Sequence, residues 1–510
     1  MSKKVCCLLI MDGFGVPADE SRSAITKDNT KNIQDLASKY PATTLKASEI
    51  AVGLPEGQMG TSEVGHLTMG IGRVKYQSLV EINEAIKDGS FYQNKVLLKA
   101  MENAKLPGRS LHLLGIPTDG GIHSRIEHLL AILKMSAMND VKNVYIHYFT
   151  DGRDVPPTSA LEYLEKINDA IKEYGTGKVA SIVGRFYALD RDNNWDRVEK
   201  AYNLMVRGEG KQFEDPAKAI QAAYNDGETD EFITPIVIVD ENGPIGVIKS
   251  GDSVISYNYR TDREKQLAHI FDKNSELEYV DKDLDTYFVT MTEYDSTFTH
   301  CNVAFPNKKM ENILAEVLAD RGYSQMRIAE TEKFNHVTFF FNDGNPVPYK
   351  NEERVLINSV KLKSYADNPA MSAKEVADAT INALDNDKTD VYMVNLANCD
   401  MVGHSGDLEA AKKAVQIVDE QAQRIVDKVL EKDGVVLLTA DHGNADCMVL
   451  EEGTPCTSHT TALVPFILIG KEFDKSTTLK RGASLADIAP TILKILGETK
   501  PAQMTGESLF

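Results

Sequence analysis

Four places in the chain put hard or borderline ligand atoms just after a strand-like apolar run. They are Asp12 in LLIMDGFG, Asp400 and His404 in NLANCDMVGHSG, Asp441 with His442 in TADHGNAD, and His459 in TSHTTALVPF. Three carboxylates and three imidazoles are enough donors for two divalent cations. Carboxylate and imidazole without thiolate suit manganese, with zinc or cobalt as competitors. A single Asp-His pair after a strand is more often a cap or turn than a ligand. The whole set is the sharper signal, because an open parallel sheet brings the carboxyl ends of its strands to one crevice.

The segment GQMGTSEVGHLTMG, beginning at Gly57, places Thr61 and Ser62 where a helix can begin, with Glu63 in its first turn. A hydroxyl residue there is an ordinary N-cap. The same geometry offers amide donors and the positive end of the helix dipole to an arriving phosphate. Serine is a weak nucleophile until a base or a metal lowers its pKa. Two cations about 3.5–4 Å apart supply that activation and neutralise an in-line phosphoryl transfer. Cap and nucleophile both fit the spacing of Ser62.

Arginines cluster elsewhere: Arg153 in FTDGRD, Arg185 and Arg191 in GRFYALDRDNNWDR, and Arg260 with Arg263 in SYNYRTDR. Neighbouring aspartates could pair with all of them at the surface. The segments nevertheless carry glycine and aromatic residues and follow strand-like runs. Arginine forks bind carboxylate and phosphate bidentately, so a ligand with both groups explains their number. His123 in PTDGGIHS and Asp154 beside Arg153 are placed to give and take hydroxyl protons. Lys333 in TEKFNH could add positive charge at a phosphoryl group, although a lone lysine is usually solvated.

Positioning such groups calls for alternating strands and helices. Short apolar runs such as VCCLLIMDG, VYMVNLAN and GVVLLTADHG end in polar or glycine-rich turns, and helical patterns lie between them; this is the signature of an α/β fold with a largely parallel sheet. DLEAAKKAVQIVDEQAQRIVDKVLE, from Asp407, reads as an amphipathic helix. A length of 510 residues exceeds the roughly 250–300 at which single cores stop growing, so two domains are expected. Metal-type residues fall near both chain ends and arginines in the middle. The expected division is therefore a metal-binding domain of residues 1–76 and 310–510 around an inserted substrate-binding domain of residues 77–309. Crossing points are expected near Gly70–Gly72 and Pro306, as hinges for closure. A net charge of -20 disfavours nucleic acid and anionic membrane as partners. The six cysteines lack paired ligand spacing and read as reduced, buried thiols. The apolar run from Val5 to Met11 is too short for a membrane span or a signal peptide, which points to the cytoplasm.

Taken together, LLIMDGFG, GQMGTSEVGH, TDGRDVPP, GRFYALDRDNNWDR, NYRTDR, NCDMVGHSG and TADHGNAD resemble the cofactor-independent phosphoglycerate mutases of the alkaline phosphatase superfamily. The resemblance runs from residue 1 to near the C-terminus, and no motif position departs from the family pattern. It implies a phosphatase-like domain of the two chain ends around an inserted transferase domain. It also implies two manganese ions, with magnesium, zinc or cobalt as substitutes and no 2,3-bisphosphoglycerate. One ion falls to Asp400, His404 and His459, the other to Asp12, Ser62, Asp441 and His442. Substrate contacts fall to His123, Arg153, Asp154, Arg185, Arg191, Arg260, Arg263 and Lys333. The implied reaction interconverts 3-phosphoglycerate and 2-phosphoglycerate in a monomer through phosphoserine at Ser62, with Asp154 and Lys333 also catalytic. A phosphopentomutase or metal-dependent phosphatase shares the metal motifs but not the arginine clamp, and a catalytically silent relative would lack a ligand or the nucleophile.

Overall fold

Cys6–Met11 forms β1, and all six side chains are fully buried. A strand apolar on every residue must be covered on both faces, as in a parallel sheet flanked by helices. The computed structural model of the chain describes residues 4–272, 275–386 and 389–510. It separates into two compact units, one of Met1–Gln77 with Lys309–Phe510 and one of Ser78–Lys308.

In the first unit the further strands are β2 (Ala42–Leu45), β3 (Gln325–Glu330), β4 (Glu352–Ile357), β5 (Val391–Leu396), β6 (Val435–Thr439) and β7 (Val464–Ile469). Among the described residues they make a seven-stranded sheet in the order β4-β3-β5-β1-β6-β7-β2. β1 lies parallel between β5 and β6, pairing Cys6 with both Val391 and Val435. β3 runs parallel to β4 and β5. β7 is antiparallel to β6, and β2 is antiparallel to β7, so that edge departs from the parallel pattern.

Two helices matter for the site. α1 is Ser62–Ile71, and α2 is Leu408–Glu431. α2 starts where Asp407 Oδ1 accepts from Ala410 N at 2.9 Å, and an aspartate there also suits the helix dipole. Its apolar stripe of Ala411, Val415, Val418, Ala422, Ile425 and Val429 joins the same core as β1. Each such valine or isoleucine contributes roughly 1.5–3 kcal/mol on burial.

The second unit is built on parallel strands Leu111–Gly115, Val144–Thr150, Lys178–Gly184 and Ser253–Ser256. Sequence neighbours enter opposite cores: Leu113, Ile182 and Ile255 on one side, Leu114, Val183 and Val254 on the other. Two apolar layers thus sandwich this sheet.

Beneath its arginine loops lies Glu264, fully buried, accepting from Asn258 Nδ2 at 2.5 Å. Burial pushes its pKa up from 4.5 to about 7. Between those values the folded chain holds a proton that the unfolded chain has released, so stability is lost as pH rises through the window. The full difference is worth about 3 kcal/mol. Glu264→Gln, neutral throughout, should therefore melt on the order of 5 °C above the unsubstituted chain at pH 8 and close to it at pH 4.5. A gap that does not widen with pH would show that Glu264 is not the titrating group.

Candidate active site

Strand order decides what meets. Asp12 follows β1 directly, Asp441 comes two residues after β6 and Asp400 four after β5; because these three strands are parallel neighbours, the carboxylates share one sheet edge. His459 arrives differently from the sequence expectation. It precedes β7 rather than following a strand. β7 is antiparallel to β6, so its beginning lies at the edge where the parallel strands end.

The contacts are close. Ser62 Oγ lies 2.9 Å from His442 Nε2, 2.7 Å from Lys333 Nζ and 3.3 Å from Asp12 Oδ1. Lys333 Nζ also reaches Asp12 Oδ1 at 2.7 Å and Asp400 Oδ2 at 2.6 Å. Asp400 Oδ1 is 3.1 Å from His459 Nε2 and 3.3 Å from His404 Nε2. Asp441 Oδ1 accepts from the amides of Gly13 and His442, leaving Oδ2 3.5 Å from His442 Nε2. Gly13 has φ +74°, and a Cβ there would sit 2.7 Å from the Asp400 backbone, so glycine is required for this approach.

The helix begins one residue earlier than a Ser62 cap implies. Thr61 is the N-cap, its hydroxyl accepting from Val64 N at 3.4 Å, and Ser62 opens the helix proper. Ser62 Oγ is thereby free to face the carboxylates and is nearly buried.

The donor set fits divalent metal. Asp12, Asp441 and His442 offer ligand atoms within 4.8 Å of one another, as do Asp400, His442 and His459, so His442 faces both groups. His459 Nδ1 lies 2.8 Å from Gly60 O and His404 Nδ1 2.7 Å from Thr457 O. A neutral imidazole donating from Nδ1 turns its Nε2 lone pair inward, the tautomer a metal ligand needs. The two inward Nε2 atoms are 3.1 Å apart, and both face Asp400. Acceptors so arranged require a cation or proton between them.

Electrostatics say the same. Burial would raise Asp400, but Lys333, His404 and His459 hold it well below the usual carboxylate range. Burial raises Asp12, and neighbouring Asp441 adds to the rise. Lys333, whose burial alone would lower it, is pushed well up by Asp12, Asp400 and Asp441. These carboxylates draw positive charge, and Lys333 supplies one unit of it.

Some neighbours were not singled out from sequence. His66, one turn after Ser62, is fully buried, with Nδ1 2.8 Å from Ser62 O and 3.3 Å from Asp441 Oδ2. Asn395 Nδ2 lies 2.8 Å from Asp12 Oδ2 and 3.0 Å from His66 Nε2. Asn444 Nδ2 donates to Asp400 Oδ1 at 2.9 Å. His66 and Asn444 lie inside SEVGH and TADHGNAD, so the motif was visible and their direction was not.

A second cluster lies in the Ser78–Lys308 unit. Arg185, nearly fully buried, donates from Nη1 to Asp151 Oδ1 and Asp154 Oδ2, both at 2.6 Å. Its Nη2 lies 2.8 Å from His123 Nε2. Burial and Arg185 push His123 down to about 3, so it is neutral, accepting at Nε2 and carrying its proton on Nδ1. Arg191 Nη1 and Arg260 Nε meet Asp262 at 2.9 and 2.7 Å. Arg153 Nη1 is 3.4 Å from Glu231, and Arg263 Nη1 donates to Leu189 O at 3.0 Å. Lys333 lies with the metal-type residues, not with the arginines.

A largely parallel sheet whose one edge gathers carboxylates, imidazoles and a helix-opening serine defines a member of the alkaline phosphatase superfamily. Residues 82–296 match the family described as BPG-independent PGAM N-terminus, and residues 298–455 match Type I phosphodiesterase / nucleotide pyrophosphatase. A 2,3-bisphosphoglycerate-independent phosphoglycerate mutase of Clostridium beijerinckii is 48% identical, covering 100% of this chain and 99% of its own. One from Clostridium perfringens, strain ATCC 13124, is also 48% identical, covering 100% of both. A crystal structure of Leishmania mexicana phosphoglycerate mutase at low cobalt concentration is 29% identical, with TM-score 0.55, over 100% of this chain and 98% of that one. The chain belongs to the 2,3-bisphosphoglycerate-independent phosphoglycerate mutases.

Proposed function

We propose that the chain interconverts 3-phosphoglycerate and 2-phosphoglycerate through a phosphoserine at Ser62, without 2,3-bisphosphoglycerate. The observation that carries this is Ser62 Oγ lying within 3.3 Å of His442, Lys333 and Asp12 at the opening of a helix. Family membership supports the choice of substrate. Two divalent cations, Mn2+ by the donor set, would be held by Asp400, His404 and His459 and by Asp12, Ser62, Asp441 and His442; they would supply the charge that lowers the serine pKa.

The residues then divide the work. Ser62 Oγ, deprotonated before it attacks, bonds to phosphorus as the bond from phosphorus to the glycerate oxygen breaks, and it leaves again as the alkoxide in the second half. Lys333 Nζ, beside Ser62 Oγ, offsets charge on the phosphoryl oxygens. In the second half a glycerate hydroxyl attacks phosphoserine and returns a proton to Asp154, which the first half has left as the anion that Arg185 favours despite partial burial. The first half is the reverse, with the Asp154 carboxyl protonating the departing oxygen. Neutral His123 lies beside Asp154 and accepts from Arg185 Nη2 where glycerate would sit, and Arg153, Arg185, Arg191, Arg260 and Arg263 hold the skeleton while it turns. The unit of both chain ends is thus the metal-binding part and Ser78–Lys308 the substrate-binding part. Free, mostly buried thiols support the cytoplasm as its location, and sedimentation tests the reading as a monomer.

Substrate with a labelled phosphoryl group, mixed with substrate with a labelled carbon skeleton, should give almost no doubly labelled product, because glycerate stays bound between transfers. Turnover should need no added 2,3-bisphosphoglycerate. Extensive scrambling of label would instead mean that free acceptor exchanges with the site.

A further inference from the structure

Five arginines of the second unit differ in how firmly their charge is already satisfied. Arg185 is nearly fully buried and held by Asp151 and Asp154 at 2.6 Å, a pair that no ligand can take apart cheaply. Arg260 and Arg191 are different. Asp262 Oδ1 accepts from Arg260 Nε at 2.7 Å and Oδ2 from Nη2 at 3.2 Å, the side-on fork that a ligand carboxylate makes. Asp262 Oδ2 also accepts from Arg191 Nη1 at 2.9 Å, so one carboxylate bridges two guanidiniums. These three side chains are 34–44% exposed, and ion pairs so open to water contribute little and exchange readily. Arg263, among the described residues, is in ion-pair contact with no carboxylate and spends Nη1 on the Leu189 carbonyl.

We propose that Asp262 is a built-in surrogate for the carboxylate of an anionic substrate, occupying the faces of Arg191 and Arg260 that the substrate takes over on binding. This rests on the functional reading above, in which these arginines hold glycerate. A carboxylate tethered two residues from Arg260 acts at high effective concentration. Single-contact anions such as chloride cannot displace it. A ligand can, if it forks a carboxylate onto Arg260 while another of its groups engages Arg263. Asp262 therefore sets a threshold that selects multidentate organic acids over simple anions. It also keeps the local charge low: five guanidiniums against Asp151, Asp154, Glu231 and Asp262 leave one positive charge, which matches the single negative charge of glycerate.

The test compares Asp262→Asn, Asp262→Ala and Asp262→Glu with the unsubstituted enzyme, using inorganic sulfate as probe. Calorimetric titration reads sulfate binding directly, and steady-state kinetics give KM and kcat for 3-phosphoglycerate and the Ki of sulfate. Asp262→Asn and Asp262→Ala should bind sulfate about tenfold more tightly and show a lower KM, with kcat unchanged or reduced. Asp262→Glu keeps the charge and should bind sulfate as the unsubstituted enzyme does. A residue that merely orients the arginines predicts the opposite for both neutral variants, weaker sulfate binding and a higher KM, and that result overturns the proposal, as does sulfate affinity independent of the residue at 262. Melting curves identify a variant that fails to fold, and the remaining neutral variant then decides. Absence of 3-phosphoglycerate turnover by the unsubstituted enzyme would refute the functional reading, while the sulfate titrations would still report on Asp262.

Discussion

Ser62→Ala lowers phosphoglycerate interconversion at least about 10⁴-fold, with a melting temperature within a few degrees of the unsubstituted chain. The activity loss follows from chemistry: no other hydroxyl is placed between His442 Nε2 and Lys333 Nζ at 2.9 and 2.7 Å among the described residues. Stability holds because Thr61, not Ser62, caps the helix. Removing a true cap would cost about 1 kcal/mol, whereas alanine at the first helical position is a good helix former. Activity assay, circular dichroism and a metal titration on the same preparation check all three parts. A variant that turns over within tenfold of the unsubstituted rate sinks the phosphoserine route.

Chelation of divalent metal should reduce activity at least about 10³-fold, since lost charge stabilisation of several kcal/mol translates into that much rate. Three carboxylates at one edge, Asp12, Asp400 and Asp441, face one lysine and imidazoles whose Nδ1 atoms are turned to carbonyls. Restoring Mn2+ to 100 times its Kd should return activity and stabilise the fold by about 2.7 kcal/mol, seen as a rise of several degrees in Tm. Ca2+, which favours six to eight oxygen ligands, should restore far less. Full activity in the chelated enzyme would remove metal from the mechanism.

How much of this was legible in the sequence depended on distance along the chain. Asp12 and Asp441 were readable because a parallel strand delivers the next residues to its carboxyl edge, a local rule. The approach of His459 was not, because it depends on β7 running antiparallel, which nothing within TSHTTALVPF records. Arg153, Arg185 and Arg260 are visible as residue types in segments that follow strand-like runs. Their different standing was hidden, since burial of Arg185 and exposure of Arg260 are set by strands far away in sequence. Asn395 lies in a strand buried on every residue, whose apolar run carries no alternation to show which way one polar side chain points. His66 stands on a largely buried helix face, where a histidine is usually no more than packing, so its type alone does not mark it.

The central position of β1 bears on how the chain is made. Both of its sheet neighbours are encoded late: Val391, which opens β5, comes 380 residues after Met11, and β6 follows later still. At synthesis rates of about 5–20 residues per second, β1 waits roughly 20–80 s before any partner strand exists. Throughout that interval Cys-Cys-Leu-Leu-Ile-Met hangs from the ribosome as an unpaired strand without charge, proline or glycine, the composition most prone to intermolecular pairing. The Ser78–Lys308 unit, contiguous in sequence, can meanwhile fold on its own segment of the chain. Newly made protein can therefore carry a folded Ser78–Lys308 unit while the six residues of β1 still wait for both neighbours.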